Sequence, residues 1–121
     1  MTSTNIRRIL HASVLVADTQ RALQFYNHIL GLQIDPNRPN LGYPGAWLHI
    51  NDDQQIHLLE LPNPDPLQDR PPHGGRDRHV ALALDDLNAL RKRLDTAAIP
   101  YTLSKSGRSA LFCRDPDANT L

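Results

Sequence analysis

Cysteine is almost missing from this chain. The single thiol, Cys113, excludes an internal disulfide framework and a cysteine cage for zinc. Aromatic residues are scarce too, with two Phe, three Tyr and one Trp in 121 residues, so an aromatic-lined trap for planar ligands has little to be built from. Neither sign of charge is in excess: 13 Lys and Arg face 13 Asp and Glu. That balance removes the electrostatic argument for a nucleic acid or an anionic membrane surface as partner. No apolar run approaches the roughly 18–20 residues that a membrane span needs. The start, Met1 to Arg8, is polar and lacks the apolar region of a signal peptide. These absences predict a reduced, cytoplasmic protein, large enough for one domain or for two half-size modules sharing a core.

What is present is ordered. Residues 9–17 read as a short strand buried on both faces. Asp18 follows as an N-cap, and Ala22, Phe25, Tyr26, Ile29 and Leu30 form one apolar helical stripe. Gly31 closes that helix. A short strand over 32–35, a proline-bearing loop over 36–44, and a hairpin of 46–50 with 55–61 come next. Residues 62–76 hold five of the ten prolines and read as a linker. Then the pattern restarts. His79 to Leu84 is a strand, Asp85 and Asp86 offer a cap, and Leu87, Leu90, Leu94 and Ala97 mark a helix face. Strands over 101–104 and 109–114 follow, then turn chemistry from Asp115 to Asn119, and Thr120 and Leu121 open one more strand.

The two halves share this order and its spacing. His11 stands seven residues before Asp18, and His79 seven before Asp86, at an offset of 79 − 11 = 68 residues. The expected fold is therefore α+β, a single domain of two pseudo-symmetric βαβββ modules forming a curved mixed sheet with a central cleft. Module one runs from about 6 to 61, the linker from 62 to 76, and module two from about 77 to 121.

Strand alternation places His11 on a face with Ser13 and Leu15, and His79 on a face with Ala81 and Ala83. The opposite faces are apolar and suit packing under helices. Two imidazoles brought together across a pseudo-twofold axis would be half of a divalent-metal site for Zn, Fe, Ni or Mn, completed by carboxylate or water. His57 and Glu60 are rival third ligands. They lie three apart, so in one regular strand only one can face the cleft. Glu60, if it faces inward, is also the candidate base. Trp47 reads as a core or cleft-wall anchor. Arg78 and Arg108 could pair with an anionic substrate, and Cys113 reads as a buried small hydrophobe beside Phe112. His28, His49 and His73 read as solvated or packing residues, with His49 on the same strand face as Trp47.

Four segments together resemble the vicinal oxygen chelate superfamily: glyoxalase I, fosfomycin-resistance thiol transferases, extradiol dioxygenases and bleomycin-resistance proteins. They are His11-Ala-Ser-Val-Leu-Val with Asp18, Ala22-Leu-Gln-Phe-Tyr through Leu30-Gly31-Leu32, Arg78-His79-Val-Ala-Leu-Ala-Leu-Asp-Asp-Leu, and Phe112 with Asp115-Pro-Asp-Ala-Asn-Thr-Leu121. The resemblance implies metal ligands at His11 and His79, with another at His57 or Glu60. It also implies a final Glu directly after Leu121, where the sequence stops, so a truncated last strand is expected. The implied activity is that of a lyase, thiol transferase or dioxygenase on a small oxygenated molecule held through two neighbouring oxygens. The alternative is a metal-free binding protein. Trp47, Arg78, Arg108 and Phe112 would contact the substrate, and the resemblance implies a homodimer. In the family's closing turn this chain has Ala118 where Gly is usual. If the site needs positive φ, Ala costs about 1 kcal/mol there.

Overall fold

Alternation of apolar and polar residues makes a two-faced sheet, and the first half of the chain builds one. The strands β1 (His11–Leu15), β2 (Gln33–Ile34), β3 (Gly45–His49) and β4 (Gln55–Leu59) lie in the order β1-β4-β3-β2. β1 runs parallel to β4, and the other pairs are antiparallel. The structure, a computed structural model, describes residues 4–121, so the first three residues of the polar Met1–Arg8 segment lie outside the described residues. Val14, Ala46, Leu48, Ile56 and Leu58 turn one sheet face into the core.

A helix, α1 (Thr19–Leu23), covers that face. Its N-terminal N–H groups find two acceptors: Asp18 takes that of Arg21, and Glu60 Oε1 takes that of Thr19 at 2.8 Å. The sequence predicts one α-helix as far as Leu30. The structure instead widens it into a π-helix over Gln24–Ile29. Side chains satisfy carbonyls near its end: Asn27 donates to Leu32 O and Arg93 to Ile29 O. Phe25 and Tyr26 remain buried through the wider turn. Gly31, at φ +78°, then reverses the chain.

The second half repeats the plan with α2 (Leu87–Thr96), capped by Asp86, and the antiparallel pair β5 (Tyr101–Leu103) and β6 (Leu111–Cys113). Cys113 and Leu121 exchange backbone hydrogen bonds of 3.0 and 2.9 Å, and Thr120 bridges His79 in parallel. The neighbour order of the first half thus recurs. One expectation is revised. Residues 79–84 carry a strand's alternation, yet their ladder is a single bridge at His79 plus a bond from Val80 N–H to Thr120 O. A ladder needs a neighbour along its whole length, and alternation by itself provides none. The fold is α+β, with a curved sheet and few helices. Its core joins residues of both halves, including Leu94 and Cys113 from the second. Among the described residues no helix is long and apolar enough to cross a membrane.

Two polar clusters tie the segments together. Hydrogen bonds from Arg70 and Arg114 hold the Asp77 carboxyl well below the usual carboxylate range, and Arg114 also reaches Pro71 O in the proline-rich segment. Near the end of the chain, Asp115 organises the closing turn and accepts the buried hydroxyl of Tyr26 at 2.6 Å. Within that turn Ala118 sits at φ 64°, in the left-handed region. Ala118→Gly should therefore raise stability by about 1 kcal/mol, steric relief outweighing the added freedom of the unfolded chain. Urea unfolding checks this: the midpoint should rise at unchanged slope.

Candidate functional site

The sheet face turned away from the core carries His11, Ser13, Trp47, His49, Gln55 and His57, because strand pairing sets Trp47 and Ser13 beside His57 and His49 beside Gln55. Three rings stack across it. His11 and His57 lie 4.0 Å apart at 12°, and Trp47 covers the other side of His57 at 4.4 Å and 8°. Burial pushes the His57 pKa down, and the nearby His11 and Arg38 charges push it the same way. A neutral imidazole keeps one ring nitrogen free to donate electrons.

A polar network borders the stack. The Gln55 amide nitrogen lies 2.9 Å from Asp35 Oδ2 and 3.3 Å from His49 Nδ1, and its oxygen lies 2.8 Å from His57 Nε2. The backbone N–H of Asn37 and the Gln55 amide hold the Asp35 carboxyl below its ordinary range. Arg38, on the loop before β3, donates to Tyr43 O and lies over the Tyr43 ring at 5.3 Å. Gly45 is required here by close approach, since a Cβ would collide with Leu58 O and crowd the Arg38 guanidinium.

His79 has other surroundings. Its Nδ1 lies 2.8 Å from Asp77 O, and its ring meets Phe112 edge-on at 5.1 Å. A carbonyl oxygen only accepts, so Nδ1 carries a hydrogen, and the neutral form of the ring has its lone pair on Nε2. Histidines that bind metal are held in this way. The donor chemistry of His11, His57 and His79 therefore fits a divalent cation. No group of three His, Cys, Asp or Glu side chains among the described residues is placed to hold one. The structure brings His11 to His57, and it gives His79 different neighbours.

Other residues singled out in the sequence lie as follows. Glu60 is engaged with the Thr19 N–H at the start of α1. Arg78 pairs with Asp65 at 2.9 Å on the surface, and Arg108 is exposed in the loop between β5 and β6. Phe112 lies between the His73 and His79 rings. Burial pushes the Cys113 thiol up to about 11, which makes it a packing residue. His28 is exposed, whereas His49 belongs to the Gln55 network. A cavity of about 540 Å³ lies away from the ring stack, against Phe25, Ile99, Tyr101 and Cys113. Its wall also carries Arg21, Arg114, Asp115 and Thr120, polar groups that belong to the closing turn.

Sequence reasoning missed Asp35, Arg38 and Gln55. Alternation could have found Gln55, two residues before His57 on the same strand face. The other two lie at a strand end and in a loop, where no periodicity operates.

The family model of the Glyoxalase/Bleomycin resistance protein/Dioxygenase superfamily matches residues 8–121. A protein of Arabidopsis thaliana named "Glyoxylase I 4" is 32% identical over 113 residues. The match covers 88% of this chain and 64% of that protein, so the chain spans less than two thirds of its length. A lactoylglutathione lyase of Haemophilus influenzae is 27% identical over 117 residues, covering 91% of this chain and 86% of that one. Among solved structures, a glyoxalase-family protein from Bacillus anthracis superposes with a TM-score of 0.77 at 19% identity, over 98% of this chain and 94% of its own. That last likeness shows the fold.

Proposed function

The chain belongs to the Glyoxalase/Bleomycin resistance protein/Dioxygenase superfamily, and from that membership we propose a metal-dependent, glyoxalase-like activity on a small oxygenated molecule. The observation that supports the reading is that β1 and β4 set the His11 and His57 side chains next to each other on one sheet face. A divalent cation bound there would stabilise negative charge developing on two neighbouring substrate oxygens. The chain's own residues have distinct roles. His11 and His57 supply two imidazole donors, and His79 of a second copy supplies a third, so the working unit is a homodimer. Trp47 walls the site and fixes the His57 ring plane. Arg38, whose charge acts on His57, meets the anionic end of a substrate. Glu60 is left out of this proposed ligand set, its Oε1 accepting the Thr19 N–H at the start of α1.

The test is metal analysis of the purified protein after loading with Zn(II), Fe(II), Ni(II) or Mn(II) in turn. Parent protein should retain one of these through gel filtration. His11→Ala and His57→Ala should each weaken that binding by about tenfold or more. A parent protein that retains none of the four would instead be a metal-free ligand-binding member of the fold.

A further inference from the structure

We infer that Asp35 and Gln55 are positioning residues that fix the hydrogen of His57 on Nε2 and leave Nδ1 as its electron-donating nitrogen. A carboxylate can only accept, and Asp35 Oδ1 already takes the N–H of Asn37 at 2.9 Å. Its Oδ2 lies 2.9 Å from the Gln55 amide, so the end of that amide facing Asp35 must be the nitrogen. A reversed amide would set two oxygens against each other at that distance. The second amide hydrogen is directed at His49 Nδ1, 3.3 Å away. Gln55 Oε1 is therefore turned to His57, and its 2.8 Å contact with Nε2 is a hydrogen bond only if Nε2 carries the proton. A neutral imidazole has one N–H, so Nδ1 keeps its lone pair. At His79 the Asp77 carbonyl selects the opposite nitrogen. The two histidines thus present different ring atoms to a ligand.

The use of this arrangement rests on the metal-binding reading, but the arrangement is a property of the metal-free protein. It can therefore be tested separately. Long-range proton–nitrogen correlation spectra of 15N-labelled apo protein, recorded above the histidine titration range, report which ring nitrogen carries hydrogen. Parent His57 should show the Nε2–H form alone. Asp35→Asn keeps the shape, and because the Asn37 N–H still claims the side-chain oxygen, the new amide nitrogen faces Gln55. The Gln55 amide should then reverse and His57 shift toward the Nδ1–H form, whereas Gln55→Leu removes the acceptor and should leave a mixture of both forms. With Zn(II) as probe, both variants should bind about tenfold more weakly or worse. An Nδ1–H ring in the parent, or an unchanged Nε2–H form in Gln55→Leu, overturns the proposal, and an unchanged form in Asp35→Asn overturns the part assigned to Asp35. A fixed Nε2–H form in a parent that retains none of Zn(II), Fe(II), Ni(II) and Mn(II) leaves the positioning role standing and removes the metal reading.

Discussion

Asp115→Ala should lower the stability of the fold by about 3–5 kcal/mol, a large share of the roughly 5–15 kcal/mol that a domain of this size has. Asp115 is 5% exposed and accepts four hydrogen bonds. Its Oδ1 takes the backbone N–H groups of Asp117 and Asn119, and its Oδ2 takes the Tyr26 hydroxyl and the Asn119 amide. Alanine would strand those donors where water is excluded, and Tyr26 is fully buried. The loss would also loosen Asn119, whose amide holds Leu15 O at the end of β1. Asp115→Asn keeps one oxygen for the turn and should cost less. Urea unfolding of the three proteins measures this, and a cost below about 1 kcal/mol for Asp115→Ala would show that the turn is held by other contacts.

The pH dependence separates Asp115 from Asp77. Burial raises the Asp115 carboxyl above its ordinary range despite its hydrogen bonds. Such a group adds stability that is complete below the unfolded value of about 3.9, and the gain is lost as pH rises through the folded value. Asp77 has the opposite sign. The hydrogen bonds from Arg70 and Arg114 lower its pKa, so its contribution is present above the unfolded value and is lost as pH falls. Asp115→Asn should therefore flatten the decline of stability on the alkaline side of about pH 4, while the acid limb set by Asp77 persists.

The parts of this molecule that follow from local pattern were legible in the sequence. The repeated histidine, cap and helix stripe led to two similar halves, and alternation set His11 and Ser13 on the face opposite Ala12 and Val14. Alternation also required His57 and Glu60 to diverge, but it did not say which one meets His11. What separates them is tertiary: Glu60 meets the first N–H of α1, 41 residues away in sequence. Asp35 joins the site through the pairing of β2 with β3, its N–H bonding Trp47 O, and Arg38 joins it only after the loop folds over Gly45. The π-helix was not legible either, because the apolar stripe of Phe25 and Tyr26 suits both helix types. Residues 79–84 carry the same alternation, and among the described residues their ladder partner is Thr120.

A one-to-one mixture of His11→Ala and His79→Ala chains, combined by unfolding and refolding together, should regain metal that neither variant holds alone. The expectation comes from the separation of donors within one chain: His11 is stacked on His57, while His79 rests against Asp77 O and Phe112. Ring nitrogens bind a cation at about 2.0–2.1 Å, so the donors of one site must converge, and a second copy can bring His79 to the His11–His57 face. A twofold dimer then holds two equivalent sites, each built from the first half of one chain and the second half of the other. Each variant alone lesions both of its sites. Random pairing makes half of the dimers mixed, and a mixed dimer has one intact site and one doubly lesioned site, so about one quarter of all sites should recover. Metal content per chain, measured before and after mixing, reads the result directly. No recovery would place His79 outside a site shared between copies, and full metal content in either variant alone would remove that histidine from the ligand set.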